Sequence, residues 1–471
     1  MQYENEQHRT VSYREIPYNY TSADDQRVVE LLLGEDAWRI LEDLRCRRVT
    51  GRSARLLMRV LGELFVFHRN PFLRETLLQQ RTRRKNWFSA CLRDLELVEA
   101  SAGPNREVID VVERCREELS RRLDRLNRLR RERRRLRKYL GAIVGGENVR
   151  FDPHTLVAHS TDATDWRLYL PEGVVFPDRE EQVPLLVETI RKLGYRMIPR
   201  GAGTGLTGGA VPTAPGCIII NTERLNRIRG VRQVRWSNGE TGWVISLEAG
   251  VITEDAMRYA SRLGLVFATD PTSAWACTIG GNIAENAGGK TAVLWGTAID
   301  NLVSFKIAMP EGVLREVKRL DFHPRRIRED DEVIFGLYEA DGTLSETFRL
   351  SGRDLRKPGL GKDITNKALG GVPGLQKEGV DGIITSAEFV LHRPFPFRRT
   401  FCLEFFGDSM EEAAQIIERF GREFVGRPGA VLMALEHFDE EYVKAVEYRT
   451  KAPRGDRPKA VLLMDLVSEE D

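Results

Sequence analysis

The densest chemistry in this sequence lies in Pro199-Arg200-Gly201-Ala202-Gly203-Thr204-Gly205-Leu206-Thr207-Gly208-Gly209. Five of the nine residues from 201 to 209 are glycine. Backbone of that kind reaches positive φ without steric cost and can turn successive N–H groups toward one anion. The hydroxyls of Thr204 and Thr207 add donors and Arg200 adds charge, so a diphosphate is the natural guest. The order Gly203-x-Gly205-x-x-Gly208, with Glu223 twenty residues beyond Gly203, formally fits the Rossmann dinucleotide fingerprint. A Rossmann loop must open a helix, however, and Pro212, Pro215 and Gly216 stand where that helix would run. The Rossmann reading is rejected.

Other reactive groups are sparse. The six cysteines (Cys46, Cys91, Cys115, Cys217, Cys277, Cys402) contain no CxxC pair, which argues against a zinc ribbon, an iron–sulfur cluster or a disulfide framework within these residues. The seven histidines form no recognised motif. His154 and His159, flanked by Asp152 and Asp162, fit no defensible metal-ligand spacing and read as surface or core residues.

The elements that must carry the loop fall in three regions. Residues 1–150 read as a helical domain, with Ser22 as an N-cap, Gly34 closing the first helix, and breaks at Gly51, Pro71 and Pro104-Asn105. A long charged helix follows, with Leu119, Leu123, Leu126, Leu129, Leu136 and Leu140 as its apolar stripe. Its basic run reads as a solvated face, with Glu117, Glu118, Asp124 and Glu132 in helical reach of arginines. Gly145-Gly146-Glu147-Asn148 reads as a linker. Beyond Arg150, short apolar runs such as GVVFP, YRMIP, CIIIN and WVISLEAG alternate with helical stretches, as in an α+β domain over 165–395. From 396 to 471 a strand-like RTFCLEFFG leads into the amphipathic helix MEEAAQIIERFGREF, the opening of another α+β domain.

Bulk properties bound the class. The 471 residues exceed one core, and a net charge of +2 gives no general reason to expect nucleic acid. The start MQYENEQHRT has no apolar signal region and no run of eighteen apolar residues follows, so no transmembrane segment is expected. A cytoplasmic location is expected, in solution or at a membrane periphery.

Two further segments give the loop a family. Asp270-Pro271-Thr272-Ser273-Ala274-Trp275-Ala276-Cys277-Thr278-Ile279-Gly280-Gly281-Asn282-Ile283-Ala284-Glu285-Asn286-Ala287-Gly288-Gly289 resembles the second FAD-contacting segment of glycolate oxidase and D-lactate dehydrogenase flavoproteins. Glu378-Gly379-Val380-Asp381-Gly382-Ile383-Ile384-Thr385 resembles the segment whose backbone meets the isoalloxazine there. The glycine loop resembles their pyrophosphate loop. The resemblance implies an α+β fold: a two-subdomain FAD-binding domain of the p-cresol methylhydroxylase type, after the helical domain and before the start of an α+β cap domain. It implies that 199–209 holds the diphosphate, that 270–289 meets the adenosine, the ribityl chain and part of the flavin, and that 378–385 lines the ring. The cofactor-binding residues it implies are Pro199 to Gly205, Thr207, Gly208, Gly209, Asp270, Pro271, Thr272, Thr278, Gly280, Gly281, Asn282, Asn286, Ala287, Gly288, Gly289, Glu378, Gly379, Gly382, Ile383 and Ile384.

FAD is expected to be non-covalent, because the loop carries no histidine or cysteine where covalent relatives attach flavin. The reaction implied is oxidation of a 2-hydroxy acid such as D-lactate or glycolate, with hydride passing to flavin N5 and electrons leaving to an acceptor or an iron–sulfur partner. The alternative is a flavin-carrying electron-transfer subunit with no substrate site of its own, and residues 1–150 also fit a protein-interaction module. The whole chain resembles the N-terminal part of large bacterial FAD-linked oxidoreductases, which share REIPYNYTS (Arg14–Ser22), VLWGTAIDNL (Val293–Leu302), GLGKDIT (Gly359–Thr365) and RPKAVLL (Arg457–Leu463). No HxxGDGNxH cap motif is present, so the cap reads as cut short of its catalytic half, in either a natural short form or, the favoured expectation, a fragment of a longer frame. No catalytic base or substrate arginine is assigned. Asp381, where the family carries leucine, is read two ways: a carboxylate near the ring, or a group facing solvent. Cys277 reads as a small packed residue.

Overall fold

The computed structural model describes residues 25–46, 52–164, 168–236, 239–357, 362–363, 371–407, 410–424, 429–451, 453 and 455–470. Ser22, Gly51 and the REIPYNYTS segment lie outside them, as does all but Lys362 and Asp363 of GLGKDIT. The chain divides into two compact units. The first comprises Met1–Thr161, Asp165–Val175 and Val211–Ile218, and the second comprises Asp162–Thr164, Phe176–Ala210 and Ile219–Asp471.

The described part of the first unit is helical up to Val144, through Asp25–Leu33, Ala37–Cys46, Arg52–Arg69, Pro71–Gln79, Arg81–Ala102 and Arg106–Val144. Pro71 begins a helix as well as ending one. It occupies the first turn, where its missing N–H costs nothing, and Asn70 caps the Phe72 and Leu73 N–H groups at 2.9 and 3.2 Å. Asn105 caps the longest helix in the same way, accepting from Glu107 and Val108. That helix has 39 residues and spans roughly 58 Å at 1.5 Å per residue. Leu119, Leu126, Leu129, Leu136 and Leu140 of the stripe are buried, while Leu123 is half-buried against the same core. The basic run differs from expectation in its pairing. Glu118 reaches Arg121 at 3.2 Å and Arg122 at 2.8 Å, but Glu117, Asp124 and Glu132 make no ion pair among the described residues. Arg133 pairs instead with Glu75 of another helix. Most of the run's arginines are exposed, with little help from neighbouring acids, while Arg122 is buried and Arg133 half-buried.

The second unit is built on a seven-stranded antiparallel sheet. Its order is Leu344–Ser351, Glu332–Tyr338, Leu314–Arg319, Leu302–Ala308, Ile383–Leu391, Thr241–Glu248 and Ile228–Arg235. The strand Ile383–Leu391 is paired on both sides and is almost continuously buried. Phe305, Phe335 and Phe389 are the largest of its fully buried side chains, so the core lies against the sheet's middle. The helical N-terminal region and the mixed helix-and-sheet remainder agree with the fold class expected from sequence.

Strands Phe397–Phe405, Ala460–Ser468 and Val431–Phe438 form a separate three-stranded antiparallel sheet, with the helix Glu411–Phe424 between the first and last in sequence. Val467 and Val431 of that sheet pack with Ala268 and Trp295. Beside them His392 stacks on Trp295, with ring centroids 5.1 Å apart. Asn301 uses its amide to donate to the Trp295 and Thr297 carbonyls, leaving its Oδ1 to accept from His392 Nε2 at 2.7 Å. Burial pushes the imidazole down to about 4 from 6.5. The neutral ring is the folded form, so its stabilisation is complete above pH 6.5 and is lost as pH falls toward 4. The unfolding free energy from urea titration should therefore fall across that window, by at most about 1.4 kcal/mol per pH unit from this group. His392→Gln should flatten the decline, and an unchanged pH profile would assign it to other groups.

Candidate functional site

The strand Ile383–Leu391 is the scaffold, and the chain enters it through Glu378–Gly382. Next to it, Thr241–Glu248 runs on into Ala249, whose N–H donates to the Thr385 carbonyl at 2.9 Å. The Ala249 carbonyl then accepts from Gly280 N–H at 2.7 Å, which seats the short helix Ile279–Ala284 on the sheet. That helix holds the third segment in turn: Gln376 and Glu378 donate their N–H groups to the Ile283 and Ala284 carbonyls at 3.0 and 2.9 Å.

The glycine loop docks on both. A Cβ on Gly201 would stand 2.2 Å from Thr278 Oγ1, and one on Gly379 would stand 2.2 Å from Pro199 Cγ. The loop therefore leaves the strand Arg196–Arg200 through a passage with no room for side chains at either point. As the proline argument requires, no helix follows it, and the next regular element is the strand Cys217–Asn221.

These three segments enclose a cleft of about 370 Å³. Of the sequence-predicted residues, Pro199 to Gly205, Thr207, Gly209, Pro271, Thr278, Gly280, Gly281, Asn282, Ala287, Glu378, Gly379, Gly382, Ile383 and Ile384 line it. Gly208, Asp270, Thr272, Asn286, Gly288 and Gly289 do not. Three of these six have an evident internal task. Asp270 is a buried carboxylate accepting from Thr291 Oγ1 at 2.7 Å, and burial pushes its pKa up. Asn286, at φ 51°, accepts from Ile299 N–H at 3.0 Å. A Cβ on Gly289 would lie 1.9 Å from the Asp270 carbonyl oxygen. Asn282 does line the cleft, but its amide donates to buried Thr253 at 2.8 Å.

Asp162, Ala210 and Thr222 also line the cleft from outside the expected segments, and Leu206, Ser273, Cys277, Ala284 and Glu285 line it from within them without having been singled out as cofactor-binding. Leu206, Ser273, Cys277, Ala284 and Glu285 are interleaved with predicted residues, which was signal enough. Asp162 comes from far upstream and carried none. Cys277 is buried, with Sγ 3.1 Å from Thr253 Oγ1, as a small packed residue. His159 Nδ1 lies 2.8 Å from the Thr155 carbonyl and His154 sits edge-on to Phe72. No metal-ligand group is found among the described residues.

The donor set of the loop decides its chemistry. Among the described residues, none of the eight backbone N–H groups from Ala202 to Gly209 donates to an acceptor in the chain. Arg200 lies beneath them, buried, with one nitrogen bonded to the Ala210 carbonyl at 3.1 Å. Burial pushes its pKa down, and Asp162 and Glu223 oppose that. Unclaimed N–H groups above a buried guanidinium suit an anionic oxygen cluster, so the residues present fit the diphosphate of FAD.

Asp381 has partners within its own segment. Both carboxylate oxygens accept from Gly374 N–H at 3.1 Å and one lies 3.2 Å from Lys377 Nζ, so the group ties its own loop.

Residues 171–318 match a family described as "FAD binding domain", and residues 11–135 match one described as "Protein of unknown function (DUF3683)". Glycolate oxidase subunit GlcD of Bacillus subtilis is 24% identical over 330 residues, covering 70% of this chain and 58% of that protein. D-lactate dehydrogenase of Anaerostipes hadrus is 32% identical over 142 residues, covering 30% of this chain and 28% of that one. The chain thus spans 58% and 28% of these curated relatives. Among solved structures, p-cresol methylhydroxylase aligns with a TM-score of 0.46 at 14% identity, over 72% of this chain and 61% of that one.

Glycines that serve packing can be told from those that serve a ligand. Gly289→Ala should cost at least about 3 kcal/mol, because its Cβ meets backbone that cannot move aside. Urea unfolding of the protein stripped of ligands checks this, and a loss below about 1 kcal/mol would show that the Asp270 turn can yield. Residues 171–318 are an FAD binding domain, in a chain similar to glycolate oxidase subunit GlcD and D-lactate dehydrogenase.

Proposed function

We propose that the chain is an FAD-dependent oxidoreductase acting on a 2-hydroxy acid of the D-lactate or glycolate type, with FAD held non-covalently. The observation that carries this is the run of unclaimed N–H groups from Ala202 to Gly209 over Arg200, in a segment of the FAD binding domain family. The names of the relatives supply the substrate class.

In this reading the backbone of 202–209 and the Thr204 hydroxyl hold the diphosphate, joined by the Thr207 hydroxyl once it turns from Glu285, to which it donates at 3.2 Å, and Arg200 offsets its charge. Pro271, Thr278, Gly280, Gly281, Asn282 and Ala287 form the wall for the adenosine and ribityl portions. Glu378, Gly379, Gly382, Ile383 and Ile384 form the wall for the ring. Asp270, Asn286, Gly288 and Gly289 act one layer behind by fixing that wall. Bound flavin supplies the two-electron acceptor. The division into a helical domain at 1–150, an FAD-binding domain at 165–395 and a partial cap at 396–471 belongs to the same proposal, as does an electron acceptor or iron–sulfur partner. The second reading, a flavin-carrying electron-transfer subunit, draws on the chain's partial coverage of its relatives.

The purified chain should be yellow, and acid precipitation should leave the flavin in the supernatant; colour kept in the pellet would mean a covalent bond. Dye reduction with D-lactate or glycolate would support a complete enzyme. Yellow protein inactive with every 2-hydroxy acid tried would favour the subunit reading.

Gly203→Val should abolish flavin binding for two separable reasons. Gly203 has φ 70°, which a β-branched residue avoids, and its Cβ would lie 2.3 Å from the Arg200 guanidinium. A variant that folds and binds FAD with parental affinity would remove the loop from the diphosphate. Asp381→Leu should leave the flavin potential near the parent's and lower thermal stability by freeing Gly374 and Lys377. A raised potential with unchanged stability would restore the carboxylate to the ring's vicinity.

A further inference from the structure

The first unit holds a half-buried cation that no group among the described residues neutralises by contact. Arg74 lies on the helix Pro71–Gln79, and its Nε is sealed from solvent without an acceptor. Its guanidinium makes no ion pair or hydrogen bond among the described residues. Glu75, next in the chain, is spent elsewhere: one carboxylate oxygen accepts from Gln79 at 2.8 Å and the other pairs with Arg133.

Arg133, on the long helix Arg106–Val144, has an Nε in the same condition, sealed and without an acceptor. Its guanidinium and that of Arg137 sit over the Phe151 ring, 5.3 and 5.4 Å from its centroid. The charges that act on Arg74 are Arg133 and Arg125 against it, and Glu172 and Glu75 in its favour. With Arg137, four arginines surround two carboxylates in this corner. Burial, followed by Arg133, pushes the Arg74 guanidinium down to about 10 from its ordinary 12.5.

Two half-buried guanidinium groups, each with a sealed and unpartnered Nε, and with one contacting carboxylate between them are an unfavourable arrangement unless a further anion shares them. A guanidinium presents donors as a planar fork that matches the oxygens of phosphate. The Phe151 ring beneath Arg133 and Arg137 is apolar, which strengthens any charge-assisted bond formed beside it. We infer that Arg74 and Arg133 together form an oxyanion site of the helical unit, taking a soluble phosphate or a phosphate-ester group. It is made wholly of residues from the first unit and is independent of the glycine-loop cleft, whose residues belong to the second.

The test is calorimetric titration of the full chain with inorganic phosphate, at constant ionic strength and with saturating FAD. The parent should bind phosphate at one saturable site. Arg74→Met and Arg133→Met, which keep an unbranched stem, should each weaken binding at least tenfold. Arg134→Met, an exposed arginine one residue from Arg133, should leave it unchanged. Without phosphate, Arg74→Met should melt no lower than the parent, because it removes an uncompensated charge. Arg74→Lys, with the charge but not the fork, should fold and bind several-fold more weakly than the parent. Absence of saturable binding to the parent would overturn the proposal. So would an equal loss in Arg134→Met, which would mean a diffuse surface field, or phosphate binding unaffected in Arg74→Met. An Arg74→Met protein that fails to fold would overturn it too, by making the guanidinium part of the packing.

Discussion

The arrangement that everything at the cleft depends on is backbone meeting backbone. The Ala249 carbonyl receives Gly280, the Ile283 and Ala284 carbonyls receive Gln376 and Glu378, and Pro199 rests where a Gly379 side chain would be. Each contact joins segments far apart in sequence, and together they hold the glycine loop open with its N–H groups unclaimed. Unclaimed backbone donors are normally costly, and a free loop would collapse onto itself or onto water. Here the interlock forbids collapse, because the chain on either side of the loop is already committed. The free energy of docking in the sheet and its satellites thus stabilises a loop that cannot stabilise itself.

The sheet explains why those contacts can bear the load. Its strand Ile383–Leu391 is paired on both sides and buried on both faces, with Phe389 at full burial. A segment entering such a strand has little freedom left, so Gly382 and Ile383 are positioned before any ligand arrives. Gly382 also lies against Ile307 of the neighbouring strand, where an added Cβ would stand 2.6 Å away. The glycines of the third segment are therefore as much answers to the sheet as to a cofactor.

Much of this was legible in the sequence, and the limits have physical causes. The dense glycine loop, the prolines that exclude a Rossmann helix and the leucine stripe of the long helix all express local rules, and each appears in the fold. What sequence could not show is how a polar residue's few hydrogen-bonding sites are spent. Asp270 and Asn286 sit in the segment that resembles a cofactor wall, yet Thr291 and Ile299 claim them from behind. Asp381 is tied to Lys377 and Gly374, partners that its place in the motif did not reveal. Asp162, singled out in sequence only as a flank of His159, joins the cleft from a stretch with no cofactor motif.

The long basic helix shows the same limit from the opposite side. Helical spacing placed four acids near arginines, and only Glu118 pairs with them. An exposed pair at i,i+4 is worth a few tenths of a kcal/mol, too little to immobilise two long side chains reliably. Arg133 instead crosses to Glu75, a carboxylate already half-fixed by Gln79 and largely removed from water. Desolvation raises the value of a fixed partner well above that of a mobile one, so burial selects which charges pair. The helical unit and the cleft thus follow one rule. Partners already immobilised by packing take the available bonds, and groups left over at an enclosed position are the ones that can serve a ligand.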